Sequence, residues 1–172
     1  MKKTIYILIS FLAIIGCKNT TSEVNQPDKK TWSRVELNDK FGDNTGEFAL
    51  VAELTGTFSN SATVSSPLKV LARIDSLESG KSLSFKLFEY GSAPASVPDR
   101  EFGKMDIKLP SGETHIIEVF FFEGYVQPSQ DNEIKLLDLM NRHNNIKAVL
   151  DLSTVGSYYN SIYKFTILND GL

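Results

Sequence analysis

The amino-acid sequence predicts a mainly β fold: a single antiparallel β-sandwich or partly open β-barrel of about seven or eight strands, with one late α-helix. Three observations carry that prediction. From Trp32 onward, apolar and polar residues alternate with period two in run after run, the mark of half-buried strands. One segment, Asp131 to Asn145, switches to helical spacing. No internal repeat appears, and residues 32–172 are enough for one domain that buries about two-thirds of its unfolded surface.

The first element is a leader. Met1-Lys2-Lys3 precedes a run of apolar character from Thr4 to Ile15. A membrane-spanning helix needs roughly 20 apolar residues, so this run is too short to span comfortably. A basic start, an apolar stretch and a small residue at its end are the layout of a secretory signal peptide. The chain's one cysteine falls where the apolar run stops. Ile14-Ile15-Gly16-Cys17 resembles the lipobox of bacterial lipoproteins: an aliphatic pair, a small residue, then the cysteine. The resemblance implies a signal peptide over residues 1–16, cut before Cys17, and a diacylglyceryl group on the thiol. It also implies an acyl chain such as palmitate on the new amine. Cys17 is then a lipid anchor in the cell envelope, with the outer membrane as the expected site. Two or three acyl chains give stable anchoring where one gives only marginal binding.

Residues 18–31, "KNTTSEVNQPDKKT", contain one aliphatic side chain, Val24, and read as a flexible tether. A flexible chain of that length reaches about 20 Å. Lys18 and Asn19 directly follow the cysteine and Glu23 is the first acid, so the acidic signal that sends some lipoproteins to the cell surface is weak or absent. With no second cysteine the domain has no internal disulfide, and its stability must come from its core.

The strands follow. "FALVAELTGTF" sets Phe48, Leu50, Ala52, Leu54 and Phe58 on one face. "LKVLARID" alternates Leu68, Val70, Ala72 and Ile74 with Lys69 and Arg73; "LSFKLFEY" and "KMDIKL" repeat the pattern. Pro110-Ser111-Gly112-Glu113 suits a hairpin into "THIIEVFFFEG", which is apolar on both faces and predicts a strand covered on both sides. Two more strands are expected over Ile146–Leu152 and Tyr159–Leu168, joined through Gly156. Between them and the hairpin, Ile134, Leu136, Leu137, Leu139 and Met140 recur at helical spacing. Asp131 could cap that helix, and Asn144 or Asn145 could end it in the left-handed conformation. Its apolar stripe should cover the outer face of the sheet.

Catalytic constellations are missing from this pattern. Basic residues number 18 against 21 acidic ones, a net charge of −3, and they are scattered, which excludes the basic footprint of a nucleic-acid binder. The two histidines, His115 and His143, lack the short-spaced partners that a zinc site needs. No nucleophile elbow and no phosphate-binding glycine loop occur. The sequence therefore predicts no catalytic residue, no metal and no cofactor.

Two loops are the candidate binding sites. "LNDKFGDNTGEF" gathers Asp39, Asp43 and Asn44 near two glycines; such oxygen ligands can bind calcium, but the same residues are what any tight turn selects. "GTFSNSATVSSPL" gathers Ser59, Asn60 and Ser61 between two strands, as a recognition loop or as side chains that satisfy neighbouring backbone.

Trp32, the run Asp39 to Gly46, the run Gly56 to Ala62 and the closing Tyr163-x-Phe165 look like an uncharacterised group of small β-rich bacterial envelope domains. They are also similar to an accessory family of type VI secretion. The resemblance implies an accessory or binding domain and carries over no catalytic residue. The expectation is thus a membrane-anchored, non-enzymatic lipoprotein that docks to a protein partner in the envelope. The alternatives are a carrier of a small apolar or glycan ligand, with Phe120, Phe121 and Phe122 lining its cavity, and a small hydrolase.

Overall fold

The computed structural model describes residues 30–77, 80–156 and 158–172; the expected signal peptide, Cys17 and nearly all of the expected tether lie outside them. The predicted mainly β class holds, in its barrel form: an eight-stranded closed antiparallel barrel with two extra strands and one helix. The strands are β1 (Trp32–Asn38), β2 (Asn44–Ser59), β3 (Ser66–Leu77), β4 (Gly80–Glu89), β5 (Ala93–Pro94), β6 (Glu101–Lys108), β7 (Thr114–Phe122), β8 (Tyr125–Pro128), β9 (Ile146–Asp151) and β10 (Ile162–Ile167). Helix α1 spans Gln130–Arg142. Around the barrel the order is β2-β10-β9-β6-β7-β8-β4-β3, and β3 returns to β2 to close it.

Strand β2 makes the closure possible. Along one edge it pairs with β3 from Phe48 to Phe58. Along the other, β1 occupies Asn44 to Ala52 and β10 occupies Gly56 to Ser59, one strand continuing where the other stops. A methyl group at Gly56 would sit 2.1 Å from the Lys164 carbonyl oxygen, so β10 can approach only because this residue has no side chain. At the other end, β7 turns into β8 through Glu123 and Gly124, both at positive φ (49° and 80°), the two-residue turn whose twist matches that of the flanking strands.

The alternation read in the sequence sorts the barrel wall. Leu54, Phe58, Val70, Phe85, Leu87, Met105, Ile107, Ile117, Phe121, Leu150, Tyr163 and Ile167 are buried in one continuous core. An eight-stranded barrel has an interior just wide enough for side chains to fill, and these residues fill it. Trp32 is buried as well; its indole N–H donates to the Leu168 carbonyl at 2.6 Å and its amide to that of Asp170 at 3.1 Å. Those bonds tie the start of β1 to the chain's C-terminal segment.

Helix α1 departs from the expectation in place and in cap. It packs against β4, β7 and β8 with Leu136 and Met140 in the core, instead of covering the outer sheet face. Strand β8 is short: it meets β4 only at Phe85 and Lys86, and β7 from Val119 to Phe122. The facing edges of β4 and β7 beyond it are bridged by α1. The Glu133 carboxylate accepts from the Leu83 amide, the Lys135 ammonium reaches the Ile116 carbonyl at 3.4 Å, and the Ser129 amide donates to Glu118 at 2.9 Å. The N-cap is Ser129, and Asp131 lies in the first turn. Asn145 takes the left-handed conformation expected past the helix end, φ 58°. The outer side of β7 is therefore uncovered in part: Ile116 is 55% exposed.

Candidate functional site

The two sequence-predicted loops lie at opposite ends of the barrel. Asp39, Asp43 and Asn44 form the tip of the β1–β2 hairpin. One carboxylate oxygen of Asp39 accepts from the amides of Phe41 (2.8 Å) and Asp43 (2.9 Å), while the Asp39 amide donates to the Asp43 carbonyl. Asn44 accepts from Gly46 in the same way. These oxygens build the turn. Among the described residues no cluster of three or more metal-ligating side chains is present.

Ser59, Asn60 and Ser61 follow β2 at the far end. The Asn60 side-chain oxygen accepts from Ala62 (2.9 Å) and Thr63 (3.0 Å), and the Ser59 hydroxyl accepts from Ser65. Their polar groups satisfy the loop's own backbone, the arrangement that short polar side chains favour in turns.

The titratable groups in unusual settings are few and far apart. Tyr163 is buried with its hydroxyl 2.7 Å from Glu89, and burial pushes that phenol well above its usual range. Burial also raises the Glu133 carboxyl, the Leu83 amide opposing the shift. His115 Nε2 lies 3.1 Å from Glu113, out of line for a hydrogen bond, and has no partner among the described residues. His143 ends α1, its amide bonded to Leu139. No two of these groups converge on a common point.

Two outer surfaces stand out instead. The first lies on the β6–β7 hairpin, where cross-strand pairing sets Phe102 against Phe120. Their ring centres are 5.0 Å apart, and Phe120 stacks on Phe122 at 6.4 Å. Phe102 is 68% exposed. Beside it is a shallow groove of about 520 Å³ whose walls include Lys104, Asp106, Glu118 and Asp151. Phe121, between the outward Phe120 and Phe122, points into the core; the three consecutive phenylalanines split between the two faces and do not line a common cavity.

The second surface is an open groove of about 710 Å³ on the wall formed by β2, β3, β4 and β8. Its lining combines the apolar Val51 and Leu71 with Lys30, Glu53, Arg73, Lys86 and Tyr125. Lys86 lies 4.8 Å from the Tyr125 ring centre, and the Arg73 guanidinium is held by Asp75 at 2.6 Å, a bond that raises its pKa. The sequence reading gave Phe120 and Phe122 only a place in an interior cavity, and gave the groove around Tyr125 no role. Phe102 stands outside the runs chosen as strands, and Leu71 and Tyr125 emerge as neighbours only once β3, β4 and β8 are paired.

Among the described residues no helix is long and apolar enough to cross a membrane. No protein-family model, no curated protein and no solved structure matches this chain.

Proposed function

We propose that this chain is a bacterial envelope lipoprotein, anchored through lipid on Cys17, whose barrel is a non-enzymatic docking domain for another envelope protein. The observation that carries the reading is the Phe102–Phe120–Phe122 stripe, an aromatic patch with a mixed-charge border on the outside of a barrel whose inside is filled. Exposed apolar patches rimmed by polar residues mark interaction sites, and interface centres are enriched in aromatic side chains. The lipobox-like Ile14-Ile15-Gly16-Cys17 and the polar residues after it support the anchor. The test is affinity capture of the full-length protein from detergent-solubilised cells, beside Cys17→Ser and Phe102→Asp variants. One envelope protein recovered near one-to-one, and lost with Phe102→Asp, is the expected result. Equal recovery with Phe102→Asp removes the aromatic patch from the reading.

The larger groove favours a second reading, the binding of a small apolar or glycan ligand on the outer wall. Its volume falls in the range of small-molecule sites, and Tyr125 with Lys86 offers a ring face and a cation to a polar ligand. Thermal-shift screening of the full chain against glycans and fatty acids, with Tyr125→Ala as control, separates it from the docking reading.

A further inference from the structure

Strand β1 pairs with β2 on one edge, and its other edge pairs with no strand among the described residues. Its first amide, on Trp32, is given to Asp170 and so points away from β2. Backbone direction alternates along an antiparallel strand, so the peptide groups of Arg34 and Glu36 point outward too, while those of Ser33, Val35 and Leu37 face β2. The Leu37 carbonyl agrees, accepting from the Thr45 hydroxyl on the β2 side. The open ladder is bounded at one end by Asp170 against Trp32 and at the other by the register shift between Glu36 and Asn38.

The sequence of that ladder is self-complementary. Arg34 and Glu36 flank Val35, which is 44% exposed. A two-fold axis through Val35 sets Arg34 opposite Glu36 of a second copy, and the reverse, with the two Val35 side chains facing each other. The outward peptide groups of Arg34 and Glu36 are then the ones that bond across the axis, with Val35 in the non-bonded position, where opposed side chains come closest. Within one chain Arg34 and Glu36 already pair at 2.7 Å, both side chains about half exposed, so re-pairing across the axis changes partners without stranding a charge.

We infer that the outer edge of β1, unpaired among the described residues, is a homodimer interface, in which two copies join their barrels antiparallel through Ser33–Leu37 with the symmetry axis at Val35. An unpaired strand edge is a template for another strand, and an isologous contact repeats one patch on both partners. The occupant is a second copy because charge and bonding register agree with the same axis. This inference stands apart from the docking reading, which uses the β6–β7 hairpin, and neither falls with the other.

The experiment uses the full-length Cys17→Ser chain in detergent, so that an introduced thiol is the only one. Opposed residues across a strand pair have Cβ atoms about 4.5–5.5 Å apart, closest at non-bonded positions. Val35→Cys should therefore form a disulfide dimer under mild oxidation, whereas Ser33→Cys alone should not, and a mixture of Ser33→Cys and Leu37→Cys chains should couple. By sedimentation, Arg34→Glu should weaken self-association about tenfold, and the charge swap Arg34→Glu with Glu36→Arg should restore it. Trp32 fluorescence checks that each variant is folded. A monomer without the Val35→Cys disulfide, whether β1 is bare or covered by another segment or protein, overturns the inference. So does equal coupling through Ser33→Cys alone, which places the axis elsewhere.

Discussion

Glu133 is the side chain that stands in for a missing strand. It accepts the Leu83 amide, which β8 is too short to reach. Burial raises its carboxyl pKa above the ordinary carboxylate range, so the folded chain holds this proton to higher pH than the unfolded chain does. The sign follows from linkage: the favourable contribution is complete below the unfolded value and is lost as pH rises through the folded one. Glu133→Gln keeps an acceptor without the charge. Its stability relative to wild type should be equal or better at pH 7, and that advantage should shrink as pH falls toward 4, measured by urea unfolding at each pH. Glu133→Ala should cost about 1–3 kcal/mol at either pH, because the Leu83 amide loses its partner. Two glycines give a second residue-scale prediction. A Cβ at Gly103 would meet the Phe121 ring at 2.7 Å, a side chain with some room to shift; one at Gly56 would meet backbone. Gly103→Ala should cost about 1–3 kcal/mol by overpacking and Gly56→Ala more, read as urea midpoints. Neither glycine's role was legible in the sequence, since each depends on a neighbour across the sheet.

At the scale of the element, α1 is a patch in the barrel wall. Leu136 and Met140 are fully buried, whereas Ile134 is 69% exposed. Truncating Leu136 or Met140 to Ala should therefore cost about 2–5 kcal/mol, and Ile134→Ala should change thermal unfolding little. The sequence placed the helix, because helical periodicity is local; of Asn144 and Asn145 the second takes the left-handed conformation, but it lies in the turn into β9, beyond the extended His143 that caps the helix. The sequence reading treated Ile134 as part of the buried stripe, because the width of that stripe is set by the gap between β4 and β7. The same divide explains the strands. Those expected from alternation are all present, while β1 was missed because Trp32 is its only buried residue, and β8 because four residues ending in Pro128 carry little period. The binding candidates fared as local features do. Asp39, Asp43 and Asn44, with Ser59, Asn60 and Ser61, were recognisable as turn and loop chemistry, and the structure uses the Asp39, Asn44, Ser59 and Asn60 side chains to bond loop backbone. The aromatic stripe needed the β6–β7 register to bring Phe102 to Phe120.

Closure of the barrel through β2 and β3 makes it one cooperative body. Trp32, the only tryptophan, lies where β1, β2 and the C-terminal segment meet, so its emission reports on the seam. Unfolding followed by Trp32 fluorescence and by far-ultraviolet circular dichroism should coincide, as in a two-state domain; an earlier fluorescence transition would mean that β1 detaches first. Surface ion pairs such as Arg142–Asp138 contribute little to that stability, and high salt should leave the midpoint nearly unchanged. What the barrel offers its surroundings is its outer wall. The proposed docking function requires that this wall, at Phe102, meet a protein partner while Cys17 holds the chain to a membrane. The most direct measurement replaces Phe102 with a photo-crosslinking amino acid in the full-length protein, irradiates intact cells and identifies the adduct by mass spectrometry. A single envelope protein joined at position 102, and not from the same probe at the exposed Tyr158, is the predicted result. Identical background labelling from both positions would rule out docking through Phe102.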